Sequence, residues 1–542
     1  MKRYGCLVGI LVMGAFLRLL LLGHQSLWLD EAFSVIIARR DWGQIVASTA
    51  QDTMPPLYYF LLRAFLALGD SEFAVRLPSV LWGVVTIPLL YALGRRLLNE
   101  QVGLVSALLL AVNPFHIFYS QEARMYSQLG FFTLLSAFFF LRAWQGGKKR
   151  DWPGFALSTA AALYTQNMAV LCLAALSIFA LLHWQKAMEK RWSLAASLGG
   201  VVLLFLPWLI YLPGQMARVR TQFWVERPSV LELFTTLSLF LFGHALSPAM
   251  VIVALIVGLY GVFLALFLGW QALRKAEANR EPLSFVLCLF AVPMGISFLV
   301  SQVWPIFLAR TFIISAFALL VLLAWGLMRM PRLLAALLII PGLAVVSLSL
   351  YNFYANPIYA KPPMREAAGY LQTHFQAGDT VIHTSDSSYL TFVYYAPELE
   401  RHFLVGDPDY EQETTRGCTG RIAGVRPESL EEVVRGKDRL WLVVTLDHNV
   451  EYQLGLKRQF DRRYPLLSAA DVGGIRIILY GLSDCSAGRS VCFQPALSTD
   501  SQRINEWFSV RLFVPPFVDS RDDPIGGWSL VSSHRIEVES KG

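Results

Sequence analysis

Charged residues are scarce in this sequence of 542 residues: Asp, Glu, Lys and Arg together make up only 16%. An average soluble domain has about 25% charged residues. Hydrophobic residues make up 55%, and the mean hydropathy is +0.49. The composition excludes an ordinary soluble protein and indicates an integral membrane protein. The net charge of +7 does not indicate nucleic-acid binding, because the basic residues lie in short clusters between apolar runs, as topology signals do.

Cysteine is also sparse, and the six cysteines form no CxxC or His/Cys spacing typical of a structural zinc site. Three of them lie in or near apolar runs, where a small apolar role is the simple interpretation. These three are Cys6, Cys172 and Cys288. The other three, Cys418, Cys485 and Cys492, fall in the C-terminal part. Cys485 and Cys492 are the two that lie close together in sequence and could form a disulfide.

Long apolar runs, by contrast, are abundant. A helix needs roughly 20 apolar residues to span the hydrocarbon core, and about eleven runs approach this length. They predict a polytopic α-helical membrane protein. The runs are residues 5–22, 78–94, 102–119, 128–144, 153–166, 168–184, 193–212, 249–270, 283–301, 311–327 and 333–351. The first run lacks the small-residue cleavage site of a signal peptide, so we expect it to be retained.

Clusters of Lys and Arg predict the orientation. Every cluster lies on one side of the membrane if the first run crosses outward. The clusters are Lys2/Arg3, Arg95/Arg96, Lys148/Lys149/Arg150, Lys186/Lys190/Arg191, Arg274/Lys275/Arg280 and Arg329/Arg332. The positive-inside rule then predicts a cytoplasmic N-terminus in the cell membrane (inner or plasma) and an extracytoplasmic chain after about residue 352.

Two shorter apolar stretches are expected to lie on the outer surface. The first, "PPLYYFLLRAFLALGD" (55–70), has only about 14 residues before Asp70, and counting it as a span would move Arg95 and Arg96 outside. We therefore predict interfacial helices within a long first external loop of residues 23–77. The second stretch, "LELFTTLSLFLFG" (231–243), is similarly short.

A change in composition predicts three parts: a transmembrane domain of residues 1–354, an extracytoplasmic α/β domain of residues 355–482, and a weakly patterned extension of residues 483–542. Strand-like and helix-like segments alternate in the second part, which predicts a small α/β sheet. The strand-like segments are residues 378–385, 439–445 and 473–482, and the helix-like segments are residues 428–436 and 451–464.

Two groups of acids reach the predicted outer surface. Asp30 and Glu31, in "LWLDEAFSV", follow the first run by about eight residues and therefore stay near the interface. The simple alternative is that they complement the N-terminus of a helix beginning near Ala32. Glu122 and Arg124, in "NPFHIFYSQEARMYSQ" (113–128), reach the same face, where a local ion pair is the simple alternative.

Cations and tyrosines reach this surface as well. Arg310 stands between the outer ends of two runs, where its fork of donors could hold a phosphate or contact any lipid headgroup. Lys361 and Arg365 follow the last run, and Tyr58 and Tyr59 suit a membrane-anchoring belt. This combination predicts a lipid phosphate held by the cations, beside acids that remove a proton from an incoming hydroxyl or amine.

Four motifs in order carry a family resemblance: "LWLDE", "PPLYY", "FAVRLPSVLWG" (73–83) and "YSQEARMY" (119–126). Together they resemble the dolichyl-phosphate-mannose protein mannosyltransferase-like family, a branch of the GT-C membrane glycosyltransferases that includes bacterial aminoarabinose and lipopolysaccharide-core sugar transferases. The resemblance covers most of residues 1–370. It implies a GT-C-like fold and an enzyme that moves a sugar from a polyprenyl-phosphate carrier to an extracytoplasmic protein, lipid or glycan acceptor.

The resemblance also implies roles for individual residues. Asp30 matches the first-loop acid of the family, which is the expected catalytic base, and Glu31 is its helper or a structural neighbour. Glu122 matches the acid of the second external loop, which orients the acceptor or the sugar. Arg310 matches a basic position that binds the carrier phosphate, and Arg124 is a weaker candidate for the same phosphate.

Two departures from the family pattern affect this prediction. Many relatives carry His or Lys before or within the "PPLYY" segment, where this chain has Met54, so Lys361 becomes the candidate replacement at the phosphate. The second acid, Glu122, is Asp in some relatives. Four further side chains are expected to line the substrate pocket: Tyr58, Tyr59, Gln121 and Tyr126.

The implied mechanism is inversion in a single displacement. Asp30 activates the acceptor, and the carrier phosphate leaves with its charge held by Arg310, so that no general acid is required. Three acids without a ligand motif do not require a divalent metal, and no cofactor is expected.

A transporter is the main alternative function. Transporters place ionisable residues near the bilayer midplane, whereas the apolar runs here are nearly free of acids. A membrane-anchored binding protein would not need about eleven spans. A lipid-linked glycan polymerase or ligase stays open, as do the sugar, the acceptor and the length of the carrier.

Overall fold

Helices make up most of the computed structural model, which describes residues 2–222, 225–275 and 280–482. The helices up to residue 355 are α1 (Lys2–Leu19), α2 (Leu29–Ala38), α3 (Trp42–Gln51), α4 (Leu57–Phe65), α5 (Glu72–Leu97), α6 (Glu100–Ala111), α7 (Pro114–Ser120), α8 (Tyr126–Trp144), α9 (Asp151–Thr165), α10 (Val170–Leu182), α11 (Trp184–Glu189), α12 (Arg191–Leu209), α13 (Leu212–Gln222), α14 (Val230–Phe242), α15 (Pro248–Lys275), α16 (Arg280–Ser301), α17 (Ile313–Leu327) and α18 (Arg332–Ala355).

Ten of the eleven apolar runs predicted to span the membrane fall largely on one helix each, and the run 102–119 is divided between α6 and α7. By length and composition, six of the described helices can cross a membrane, and a seventh span results if α6 and α7 are counted as one span bent by 59°. These apolar helices support a multi-pass membrane protein. The higher figure of about eleven spans stays a prediction.

The two stretches assigned to the outer surface form short helices. α4 with its following 3₁₀ turn (Leu57–Leu68) and α14 are both shorter than a span, in agreement with an interfacial position. Tyr58 and Tyr59 on α4 are only 1% exposed, and Tyr59 packs edge-on against Phe33 of α2. The alternative of a membrane-anchoring belt is therefore wrong for these two tyrosines, because both rings are buried in protein.

The bend between α6 and α7 has a local cause. Asn113 caps α7 by accepting a hydrogen bond from the backbone N–H of His116, and Pro114 starts the new helix. Arg18 of α1 donates to the last carbonyls of α6 at 3.0 Å. Gln121, just beyond α7, donates in return to carbonyls at the end of α1. These contacts fix the point at which residues 121–124 leave the bent pair.

The C-terminal part contains the predicted small sheet, whose strand order is β3-β2-β1-β4-β6-β5. The strands are β1 (Asp379–His383), β2 (Arg401–Leu404), β3 (Pro427–Glu428), β4 (Arg439–Val444), β5 (Leu466–Val472) and β6 (Ile475–Gly481). β3, β2, β1 and β4 pair in parallel, and β6 pairs antiparallel with both of its neighbours, β4 and β5. The helices are α19 (Met364–His374), α20 (Asp386–Tyr395), α21 (Pro408–Glu411), α22 (Thr415–Ala423), α23 (Leu430–Val434) and α24 (Val450–Arg463).

Most of the predicted segments of this part appear where expected. β1, β4, β6 and α24 coincide with predicted segments, whereas residues 428–436 begin in the short strand β3 before α23. β2 and β5 were not predicted. The extension of residues 483–542, with Cys485 and Cys492, lies outside the described residues.

The C-terminal part packs on the segment between α1 and α5. Helix α20 contacts α2, and the hydroxyl of Tyr395 accepts a hydrogen bond from the backbone N–H of Leu27 at 2.7 Å. Leu390 and Phe403 share one buried apolar cluster with Phe33 of α2. This packing holds α2 and the acid pair in place. In the predicted topology, the C-terminal part contacts α2 from the extracytoplasmic side.

Candidate active site

The acid pair lies in the first turn of α2. This helix begins at Leu29, earlier than the sequence suggested, and the extended residue Trp28 precedes it. Carboxylates in a first turn complement the partial positive charge of the helix N-terminus. The simple alternative, that Asp30 and Glu31 stabilise the start of a helix, therefore describes part of their role. Adjacent helical residues point about 100° apart, and the two carboxylates consequently have different surroundings.

Glu31 is fully buried and binds four donors. Arg76 of α5 donates through Nε and Nη2 to its two oxygens, each at 2.8 Å. Lys361 Nζ and the backbone N–H of Ala123 each donate at 2.9 Å. Burial raises the pKa of Glu31, but the charges of Arg76 and Lys361 with these hydrogen bonds outweigh burial and hold the pKa at about 2. Both carboxylate oxygens of Glu31 already accept hydrogen bonds. This favours a role for Glu31 as a structural neighbour of Asp30 rather than as its helper in catalysis.

Asp30 is more open. Its side chain is 27% exposed, and its carboxylate lies 3.6 Å from Nε of Arg124. Arg124 also donates from Nη1 to the backbone carbonyl of Asp30 and to the hydroxyl of Ser34. Of the two adjacent acids, Asp30 is therefore the one whose oxygens can meet an incoming hydroxyl or amine.

Glu122 is buried with an incompletely satisfied carboxyl group. It is 2% exposed, Oε1 lies 3.7 Å from Nζ of Lys361, and this oxygen makes no hydrogen bond. Burial raises the pKa of Glu122; Lys361 opposes this shift, Glu31 and Asp30 add to it, and the result is a pKa of about 7. The simple alternative of a local ion pair between Glu122 and Arg124 is wrong, because Arg124 pairs with Asp30.

The raised pKa of Glu122 predicts a pH-dependent effect of Glu122→Gln on stability. The folded state holds the proton more tightly than the unfolded state, so ionisation of the unfolded carboxyl costs stability as pH rises from about 4.5 to about 7. We expect Glu122→Gln, which cannot ionise, to raise the midpoint of thermal unfolding progressively over this interval. The measurement is thermal unfolding of both proteins in detergent at several pH values.

A suitable control is Glu366→Gln. Burial raises the pKa of Glu366, but hydrogen bonds to its carboxylate and the charge of Arg365 outweigh burial and lower it. Its ionised form is therefore stabilising, and the variant should lose stability relative to wild type as pH rises. The same pH dependence in both variants would contradict the assignment for Glu122.

Arg310 lies over an aromatic ring of the same neighbourhood. The guanidinium carbon is 5.3 Å from the ring centroid of Tyr126, a cation–π distance. The charges of both Arg310 and Asp30 act on the carboxyl group of Glu122. The three residues predicted to converge from separate parts of the chain, Asp30, Glu122 and Arg310, therefore lie in one electrostatic environment.

A pocket opens beside Glu122, between the ends of α1, α7 and α18. Gln121, Glu122 and Lys361 contribute polar groups to its lining, and Phe118 and Phe353 contribute apolar surface. Lys361, predicted at the carrier phosphate, thus lines the pocket while its ammonium group binds Glu31. Among the described residues, no group of three or more His, Cys, Asp or Glu side chains could hold a metal ion.

Sequence reasoning missed two residues of this site. Arg76 lies in the quoted motif "FAVRLPSVLWG", yet its pairing with Glu31 was not foreseen. Asp52 is 7% exposed and accepts a hydrogen bond at 2.9 Å from the hydroxyl of Thr419 on α22. Its position two residues before "MPP" was the only available signal, because its partner comes from the distant C-terminal part.

Comparisons with known proteins agree with this architecture. Residues 53–211 match the family model described as dolichyl-phosphate-mannose-protein mannosyltransferase. The fold is similar to that of ArnT from Cupriavidus metallidurans in the apo state, with a TM-score of 0.60, 14% identity, and coverage of 87% of this chain and 97% of that chain. No curated protein sequence matches the chain.

Two further solved structures share the fold. ArnT from Cupriavidus metallidurans bound to undecaprenyl phosphate has a TM-score of 0.59 and 14% identity, with 89% of this chain and 98% of that chain covered. The Archaeoglobus fulgidus oligosaccharyltransferase in the apo form has a TM-score of 0.50 and 10% identity, with 89% and 75% covered. The matches confirm the resemblance to the GT-C membrane glycosyltransferases and to the mannosyltransferase-like family.

Proposed function

We propose that this protein is an integral membrane glycosyltransferase that moves a sugar from a polyprenyl-phosphate carrier to an extracytoplasmic acceptor with inversion. The observation that supports the proposal most is that the charges of Asp30 and Arg310 both act on the buried carboxyl group of Glu122, in a GT-C-like fold. The basic clusters support a cytoplasmic N-terminus and a site on the opposite face of the membrane.

In this mechanism Asp30 is the base. Its carboxylate takes the proton from the acceptor hydroxyl or amine, and the acceptor atom bonds to the anomeric carbon of the sugar. The bond from that carbon to the phosphate oxygen breaks on the opposite face, and the carrier leaves as a phosphate anion. The partial exposure of Asp30 supports this role, because a base must reach the proton it removes.

The leaving group determines the role of the cations. Negative charge grows on the phosphate as the bond breaks, and Arg310, held over Tyr126, supplies a preorganised positive charge. Arg124, with an Nε that makes no hydrogen bond, is a second candidate. Lys361 is the weakest, because its ammonium group already binds Glu31 at 2.9 Å.

The remaining residues hold and orient the substrates. Glu122 lines the pocket and orients the acceptor or sugar through its carboxyl group, and Gln121 lines the same pocket. Tyr126 supports Arg310. Glu31 positions α2 through Arg76 rather than taking part in proton transfer.

A polyprenyl phosphate is the carrier class that the comparisons support. The ArnT structure that this chain resembles contains undecaprenyl phosphate. We propose the same class of lipid here, with the sugar and acceptor open. Because phosphate is already a good leaving group, the mechanism needs no general acid and assigns no metal.

The proposal is tested by incubating the purified protein with a panel of radiolabelled polyprenyl-phosphate sugars and candidate acceptors. Wild type should transfer sugar from at least one donor. Arg310→Gln should lower transfer by on the order of 10²-fold, since one preorganised electrostatic contact to the developing charge is lost. Arg332→Gln, at the junction of α17 and α18 and therefore at the end of α17 opposite to Arg310, is the matched control and should transfer like wild type. Equal activity of the Arg310 variant would contradict its role at the phosphate.

A further inference from the structure

Two side chains with no role so far form a polar pair inside the aromatic part of the site. The hydroxyl of Tyr119, on α7, lies 3.1 Å from Nε2 of His244, in the connection between α14 and α15. Tyr119 is 3% exposed. A hydrogen-bonded Tyr–His pair is an unusual choice for a position that a phenylalanine could fill by packing alone, since burying polar groups costs free energy.

The backbone around the pair is built to bring the two residues together. Asn113, which caps α7, also donates to the carbonyls of Phe240 and Leu241 at the end of α14. Gly243 follows with φ +74°, and a Cβ atom there would lie 3.0–3.1 Å from Pro114 and Phe115. Only glycine allows this close approach in a left-handed conformation.

Aromatic rings then fix the imidazole. His244 lies 4.7 Å from the ring of Phe118 and stacks on Phe115 at 6.2 Å. Burial and the charge of Arg310 lower the pKa of His244 to about 4, so the ring is neutral at neutral pH. A neutral imidazole has one N–H donor and one acceptor, and it can therefore donate to the tyrosine oxygen.

The pair lies beside the candidate phosphate-binding cation. The ring of Tyr119 packs against that of Tyr126 at 5.0 Å, and Arg310 lies over Tyr126. The charge of Arg310 acts on both His244 and the hydroxyl of Tyr119. Tyr119 thus offers an O–H donor in the neighbourhood where the mechanism places an anion.

We propose that Tyr119 is a ligand of the carrier phosphate and that His244 is its positioning residue, an inference that rests on the proposed function. With phosphate bound, Nε2–H of His244 donates to the oxygen of Tyr119, and the hydroxyl proton of Tyr119 is then directed to a phosphate oxygen. Each bond polarises the next, so the donor strengthens as negative charge grows on the leaving group. No proton is transferred in this arrangement.

The test measures binding of undecaprenyl phosphate to the purified protein in nanodiscs, beside undecaprenol as the phosphate-free lipid. We expect Tyr119→Phe and His244→Phe each to raise the Kd for the phosphate lipid about tenfold, with undecaprenol binding unchanged. The double variant should bind no worse than the singles, because the two residues act as one donor. His244→Gln, which retains an N–H donor, should recover part of the affinity. Tyr164→Phe is the matched control, since its hydroxyl bonds to the carbonyl of Leu204 away from the site.

The outcomes separate this inference from the proposed function. If wild type binds the phosphate lipid and Tyr119→Phe binds it equally well, the inference is overturned while the transferase proposal stands. Equal weakening for both lipids would show that the pair only supports packing, which also overturns the inference. If wild type does not distinguish the two lipids, the carrier assignment itself fails, and the inference fails with it.

Discussion

Asp30→Asn should reduce sugar transfer by about 10²- to 10⁴-fold, the range that a general base contributes. Asparagine keeps the size of the side chain but cannot accept the acceptor's proton. The donor contacts assigned to Arg310 do not involve this carboxylate, so the effect should fall on kcat rather than on the KM of the carrier-linked sugar. Initial rates with the radiolabelled donor identified for the wild-type protein measure both quantities.

The control for this prediction is Asp70→Asn, in the same segment between α1 and α5. Asp70 is 67% exposed and pairs with Arg39, so neutralising it should change neither rate nor stability appreciably. Thermal unfolding of the Asp30 variant shows whether the fold is retained. Transfer by a folded Asp30→Asn protein at the wild-type rate would refute the assignment of the base.

The helices were predictable because a membrane-embedded segment needs a long apolar run, and such runs are visible without knowing their neighbours. α4 and α14 were recognised by the same criterion, since they are too short to span. β2 and β5 were not predictable in this way. β2 has only four residues, and β5 is an edge strand whose exposure pattern shows no alternation.

The acids of the site could be found from sequence because carboxylates near the membrane surface are few. Their partners could not, since Arg76 and Lys361 reach Glu31 across 45 and 330 residues of chain. The adjacent acids also looked alike in sequence, and only the contacts of Glu31 with Arg76, Lys361 and the backbone of Ala123 separate it from the partly exposed Asp30. The replacement of a missing charge near Met54 by Lys361 stays a prediction.

The C-terminal part contributes more to the site than its composition indicated. It covers α2, and its Thr419 binds Asp52, whose pKa is raised chiefly by burial and further by the nearby charge of Asp30. Contacts between residues 367 positions apart leave no local pattern in a sequence. The same packing holds the helix that carries Asp30 and Glu31 within the long segment between α1 and α5.

The buried pair of Arg76 and Glu31 predicts the largest effect on stability. Arg76→Met should lower the free energy of unfolding by about 3–5 kcal/mol, because it leaves a buried carboxylate with Lys361 as its remaining cation. It also removes the donors to the carbonyls of Leu22 and Gln25, each now at 2.8 Å. Denaturant unfolding in detergent measures the loss.

A double variant tests whether the unpaired charge is the cause. Arg76→Met with Glu31→Met removes both charges, so it should be more stable than Arg76→Met alone, which is opposite to the sum of two independent losses. Arg39→Met is the control: its pair with Asp70 is exposed, and it should cost only about 0–1 kcal/mol.

Because the pKa of Glu31 is about 2 against an ordinary 4.5, the pair's contribution is complete above pH 4.5 and should disappear as pH falls towards 2. An Arg76→Met protein as stable as wild type at neutral pH would mean that α2 is held by its packing against α20, and not by this ion pair.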